Sequence, residues 1–228
     1  MTDDPVTDEP ELPDWLVRIR DAARTIEGKH LTAFLPPEDA DARPGAVLML
    51  FGEGDHGPDL LLTERAHDMR SHPGQVSFPG GSIDDGDESP VAAALREAQE
   101  EVGLDPAGVD VLATLPELWL PPSNFAVTPV LAWWREESPV GVVDPREVHA
   151  VLRVPIEALL DPAHRVMVTH PSGYSSPGFL IGDSKDLILW GFTAGLINRL
   201  FDYVGLTREW DTSVTRTLPD YMLGIRQD

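Results

Sequence analysis

A chain of 228 residues, 42% hydrophobic and 25% charged, has the length for one large domain with a full core and the composition of an ordinary globular protein. It contains no cysteine, which excludes disulfides, thiolate nucleophiles and Cys-ligated zinc and leaves hard-ligand or histidine chemistry. A formal net charge of -22 repels nucleic acid and anionic membranes, no apolar run reaches membrane-spanning length, and the acidic amino terminus argues against a targeting signal, so the expected location is cytoplasmic.

Residues 1–14 are acidic and proline-rich and read as a disordered tail, with 15–228 as a single domain carrying helical additions at both ends. Trp15, Leu16, Ile19, Ala22, Ala23 and Ile26 recur at helical spacing and predict a first amphipathic helix. Residues 46–51 read as a buried strand and 59–63 as a second, joined by a Gly/Asp loop as a hairpin. The second strand runs into Arg65, Arg70 and His72, just before a glycine turn. In so acidic a chain these three make a local cationic spot where phosphates can dock. The alternative is that Arg65 and Arg70 only neutralise nearby acids.

The next element is a helix specified at both ends. Ser89 suits the N-cap, Pro90 the first helical position, and Gly103 the left-handed residue that closes the last turn. At about 100° per residue, Val91, Ala94, Leu95, Ala98 and Val102 share one arc, and Glu97, Glu100 and Glu101 share the neighbouring one. The first arc should pack and the second face a cavity. Like charges at this spacing repel by a few tenths of a kcal/mol, and acids in the last turn oppose the helix dipole, so something positive belongs beside them. Carboxylate oxygens are the ligands that Mg²⁺ and Mn²⁺ prefer. The alternative is a solvated acidic face.

Beyond the helix, 109–120 and 125–134 read as strands about a turn at 121–124; Glu117 and Asn124 are within reach of a ligand in one reading and surface residues in the preferred one. Residues 147–154 predict another strand leading into a short helix at 155–160, and 165–170 with 178–181 a further hairpin. Residues 187–203 predict one long apolar helix, packed across the sheet or against a second copy in a homodimer.

Residues 81–104 resemble the Nudix box, whose pattern is Gly, five residues, Glu, seven residues, Arg-Glu, apolar, any, Glu-Glu, any, Gly, apolar. From Arg96 to Leu104 every position is matched, with Ala98 as the apolar residue. Upstream, counting back from Arg96 puts Glu88 at the first Glu, and counting forward from Gly81 puts Asp87 there, so one residue is inserted. Residues 61–81 resemble the signature of the coenzyme A pyrophosphatases within that superfamily: Leu-Leu-Thr, any, Arg, Ser or Ala, three residues, Arg, three residues, Gly, three residues, Phe-Pro-Gly-Gly. Leu61, Leu62, Thr63, Arg65, Ala66, Arg70, Gly74, Phe78, Pro79, Gly80 and Gly81 fill every specified place.

The resemblance implies an α/β fold, the Nudix-type α/β/α sandwich around a mixed β-sheet. It implies Glu97 and Glu101 as metal ligands for Mg²⁺ or Mn²⁺, Glu100 as a further ligand or a base, and Arg96 as the residue that holds the carboxylates by ion pairing. Arg65, Arg70, Gly80 and Gly81 fall on the substrate side, and Glu147 is a candidate for the distant loop glutamate that serves many Nudix enzymes as general base. The implied reaction is metal-dependent hydrolysis of coenzyme A or acyl-CoA to 3′,5′-ADP and (acyl-)4′-phosphopantetheine. The expected partner is a small-molecule substrate, with no nucleic acid or membrane and with a homodimer allowed. Two other readings stand beside this one: the same chemistry on ADP-ribose, a dinucleotide or an oxidised nucleotide, and a catalytically silent nucleotide sensor. Retention of Arg96, Glu97, Glu100 and Glu101 speaks against the sensor, because a pure binder has no need of three crowded carboxylates.

Overall fold

Strand β1 (Arg43–Gly54) is buried on both faces: Ala46, Leu48 and Leu50 lie in one apolar core, and Met49 and Phe51 in another. Side chains alternate with a period of two along a strand, so an unbroken apolar run demands cover on both sides. That demand organises the molecule. The computed structural model describes residues 12–32, 34, 41–69, 71–121, 123–182 and 187–223. The expected tail therefore lies outside the described residues as far as residue 11. Leu12 already packs against the core, and helix α1 (Asp14–Ala23) follows, then the single turn α2 (Gly28–Leu31).

Strand β2 (Gly57–Arg65) turns back antiparallel on β1 as the expected hairpin, with Gly54 opposite Gly57. Two short strands follow, β3 (Val76–Ser77) beside β2 and β4 (Gly80–Ser82) beside β1. Helix α3 (Pro90–Val102) comes next, then β5 (Val109–Thr114), β6 (Leu118–Leu120) and β7 (Phe125–Trp134). Strand β7 pairs parallel with β1, and both β5 and β6 pair antiparallel with β7. Strand β8 (Val148–Pro155) runs antiparallel to β2 and leads into α4 (Ile156–Leu160). The result is an eight-stranded mixed sheet with the path β3-β2-β1-β7-β5. A second, four-stranded sheet has the order β11-β10-β9-β12, built from β9 (Arg165–Thr169), β10 (Ser175–Ile181), β11 (Leu187–Leu189) and β12 (Thr215–Thr217). Helix α5 (Gly191–Tyr203) packs on β10.

Helix α3 covers one face of the large sheet with Ala93, Ala94, Ala98 and Val102. The other face is closed by Leu16 and Ile19 of α1, Leu159 of α4 and Leu196, Ile197 and Leu200 of α5. Each such aliphatic side chain, fully buried, contributes roughly 1.5–3 kcal/mol relative to exposure. The layering is the expected α/β/α sandwich around a mixed sheet. Among the described residues no helix is long and apolar enough to cross a membrane.

Two expected elements differ. Residues 187–203 are not one helix, because Leu187–Leu189 pairs with Phe179–Ile181. Trp190 is extended and Gly191 has φ +70, so the chain turns out of the strand and the helix starts only at Gly191. Residues 109–120 are likewise two strands. Pro116 lies in the break between them, where a residue without an N–H adds nothing to a ladder.

Candidate functional site

Helix α3 sets the site because its ends are locked. The Ser89 hydroxyl accepts the Ala92 N–H at 3.2 Å, Pro90 occupies the first turn, and Gly103 closes the helix at φ 73. At the carboxyl end, the Gly141 and Val143 N–H groups donate to the Val102 and Glu101 carbonyls at 3.0 and 3.3 Å, so the loop after β7 satisfies otherwise orphaned acceptors. With the alanine face turned into the sheet, the three acids are graded rather than equivalent. Glu101 is only 7% exposed, Glu97 is half-buried, and the Glu100 side chain is 60% exposed. Val91 and Leu95, expected on the packed arc, are half-buried, and Ala93 takes a place in the core.

Strand β4 forms the facing wall. Gly80 donates its N–H to Glu101 Oε2 at 3.2 Å. Only glycine fits here: Gly80 has φ +154, and a Cβ on it would lie 2.4 Å from the Ala46 carbonyl oxygen. A Cβ on Gly81 would lie 2.6 Å from the Glu97 carboxyl group. The obstacle at Gly81 is the free end of a flexible side chain, so Gly81→Ala should fold normally and displace the Glu97 carboxylate. We expect an activity loss on the order of 10²-fold, the usual consequence of moving a reacting group by about 1 Å. Steady-state kinetics beside far-UV circular dichroism tests this; full activity would show that the placement of Glu97 is immaterial.

Arg96 ties the acids together. Its Nη1 donates to Glu97 Oε1 and Glu100 Oε2, both at 3.0 Å. Its Nε and Nη2 grip Asp87 at 3.0 and 2.9 Å, and Nη2 also reaches the Ser82 carbonyl at 3.1 Å. The Asp84 N–H donates to the same Asp87 carboxylate at 2.8 Å. Of the two acids that counting leaves open, Asp87, reached by counting forward from Gly81, takes the guanidinium, and Glu88 is exposed and is not one of its partners. Arg96 and the Asp84 N–H hold the Asp87 carboxyl below its ordinary pKa, and the Asp87 contact in turn pushes Arg96 up.

Burial raises Glu97 despite Arg96, and pushes Glu101 up to about 7 even though the Gly80 N–H and Arg65 pull it down; Glu97 and Glu147 add to the rise. Arg65 is half-buried at the end of β2, its Nε is buried without a hydrogen-bond partner, and among the described residues no carboxylate forms an ion pair with it. It is a cation with unused donors beside the most buried of the three acids on α3. His72 sits in the turn at φ 56 and bonds Gln75 at 3.1 Å, and Arg70 lies outside the described residues. Of the expected cationic spot, Arg65 is therefore the residue seen near the acids. Asn124 is a turn former, with φ 51, an amide donated to the Asp41 carbonyl and an oxygen accepting from Trp119; Glu117 is exposed.

The donor chemistry suits a hard divalent ion, and among the described residues the three carboxylates of α3 are not gathered within 4.8 Å of one another. Asp87, Glu97 and Glu100 share one guanidinium, and Glu101 keeps its proton to near neutrality because burial penalises its charged form. Glu97, Glu100 and Glu101 offer only oxygen ligands. Because Glu101 must ionise to bind a cation, apparent affinity should be about tenfold higher at pH 8 than at pH 6, as for a group titrating at about 7. The linkage for the metal-free protein has the opposite direction. A raised carboxyl pKa contributes stability that is fully present below about 4.5 and is lost as pH rises through about 7. Isothermal calorimetry with Mg²⁺ and metal-free thermal melts across this window test both; a pH-independent affinity would contradict a role for the Glu101 carboxylate.

Comparison with known proteins is consistent with this geometry. Residues 41–170 match the family model described as NUDIX domain. The chain is 42% identical over 149 residues to an uncharacterized Nudix hydrolase NudL of Cronobacter sakazakii, covering 65% of this chain and 76% of the relative. It is 35% identical over 215 residues to the protein of the same name from Citrobacter koseri, covering 86% and 95%. Among solved structures, the Nudix hydrolase RenU from M. smegmatis superposes with a TM-score of 0.50 at 22% identity, over 75% of this chain and 90% of that one, a likeness of fold.

Proposed function

Since this chain belongs to the Nudix hydrolases, which act on pyrophosphate bonds of nucleoside diphosphate derivatives and generally use divalent metal ions, we propose that its substrate is coenzyme A or an acyl-CoA. The products are then 3′,5′-ADP and (acyl-)4′-phosphopantetheine. One observation carries the reading: the complete motif from Leu61 to Gly81 runs directly into the box, and its Arg65 stands with unused donors within electrostatic reach of Glu101.

In this reading Glu97, Glu100 and Glu101 hold Mg²⁺ or Mn²⁺, which when bound supplies positive charge against the diphosphate oxygens and acidifies water. Arg96 keeps Glu97 and Glu100 in fixed orientation through a planar fork anchored on Asp87. Gly80 holds Glu101 by its N–H, and the absence of side chains at Gly80 and Gly81 lets this wall lie directly against β1 and the Glu97 carboxylate. Arg65 grips a phosphate oxygen, on the diphosphate or on the 3′-phosphate. Glu147, close enough to influence Glu101, accepts the proton of the attacking water at its carboxylate.

The test is product analysis by mass spectrometry with coenzyme A and ADP-ribose at equal Mg²⁺ concentration. Coenzyme A should be cleaved faster, to the two products named. Equal or better cleavage of ADP-ribose rejects the assignment.

A further inference from the structure

A second group of metal-ligating side chains lies one residue from Arg65 and belongs to no part of the site described above. Glu64, near the end of β2, is only 8% exposed. On β8 the register slips beside it: Glu64 is opposite Ala150 and Arg65 opposite Val148, so His149 is the extra residue of a bulge. A bulge re-aims the side chain that it carries. His67, in the turn after β2, places Nε2 2.6 Å from Glu64 Oε1, and its ring centroid lies 4.4 Å from that of His149. One nitrogen of each imidazole and one Glu64 oxygen all fall within 4.8 Å of one another.

The surroundings hold this group in place. Tyr221 stacks on His67 at 4.9 Å, 15° from parallel, and the same ring covers Gly74, where a Cβ would come within 2.5 Å of it. The His67–Glu64 hydrogen bond by itself satisfies the buried carboxylate. It does not account for the second imidazole, which makes no hydrogen bond among the described residues. His67 and His149 are exposed, so one side of the group is open to water or a phosphate oxygen.

We propose that Glu64, His67 and His149 form a binding site for a borderline divalent transition metal of the Zn²⁺ class, distinct from the all-oxygen cluster on α3. Two imidazoles and a carboxylate with an open fourth position are the donors that such an ion takes, whereas Mg²⁺ prefers oxygen alone. The bound ion ties the chain leaving β2, which leads to the Gly80–Gly81 wall, to the bulge on β8.

Co²⁺ serves as the spectroscopic probe for Zn²⁺, added to the full chain with excess Mg²⁺ filling the oxygen cluster. A four-coordinate site with nitrogen ligands gives an intense visible band, and a six-coordinate oxygen site a weak one. The expected result is a band that saturates at one equivalent, is displaced by Zn²⁺, survives in Glu101→Gln and disappears in His149→Ala, with Co²⁺ binding weakened about 100-fold. On the unaltered protein, one equivalent of Zn²⁺ should shift the imidazole resonances of two of the seven histidines. Absence of the band, its persistence in His149→Ala, its loss in Glu101→Gln, or unshifted histidine signals would each overturn the site. None of these readouts depends on which diphosphate is cleaved.

Discussion

Glu101→Gln is expected to lower kcat by about 10³-fold or more with the fold retained, because a Lewis-acid contribution of several kcal/mol is at stake and each ~1.4 kcal/mol is a factor of ten. The substitution is close to isosteric. Its amide oxygen still accepts the Gly80 N–H that Glu101 Oε2 accepts at 3.2 Å. What disappears is the negative charge, on the most buried of the three acids and the one whose carboxyl is pushed up to about 7. A buried amide is not penalised for ionising, so the metal-free variant should melt no lower than the parent above pH 7. Kinetics, Mg²⁺ calorimetry and thermal melts on the same preparations decide the matter. Unchanged turnover, or loss of turnover with Mg²⁺ affinity intact, would remove Glu101 from the ligand set.

Arg96→Lys should reduce kcat/KM by about 10²-fold, since a point charge cannot hold several carboxylates in the places that a planar fork gives them. Arg96 bonds Asp87 through two nitrogens while a third serves Glu97 and Glu100. Asp87→Ala releases the anchored side of the fork and should be damaging by a similar factor. Combining it with Arg96→Lys should add little, because both substitutions break one unit. Glu88→Ala is the discriminating control. Glu88 is exposed and outside the Arg96 contacts, so its removal should leave kcat/KM within about twofold, the range of ordinary surface substitutions. Steady-state kinetics on these four proteins is sufficient, and a loss at Glu88 equal to that at Asp87 would mean that Glu88 acts in the site without touching Arg96.

Several features were legible in the chain because they depend on neighbours a few residues apart. The bounds of α3 follow from Ser89, Pro90 and Gly103, each acting on backbone groups within one turn. The β1–β2 hairpin follows from two apolar runs about a short turn, and the sharing of Arg96 Nη1 by Glu97 and Glu100 follows from helical phase. Leu187–Leu189 was misread for the corresponding reason. Three leucine and isoleucine residues before a helix continue its apolar pattern, and only the pairing with Phe179–Ile181 makes them a strand.

The remainder depended on contacts between distant segments, where composition and spacing carry no distance information. The packing of α3 against β1 and β4 decided that Glu101 would be buried and Glu100 left in water. The reach of Arg96 decided between Asp87 and Glu88, which counting along the chain left one residue apart. A slipped register between β2 and β8 brought His149 to Glu64 and His67 across more than eighty positions, with no motif to announce it. Short-range sterics, caps and periodicity are written into consecutive residues, whereas burial, and with it charge state and ligand geometry, exists only once the layers have closed on one another.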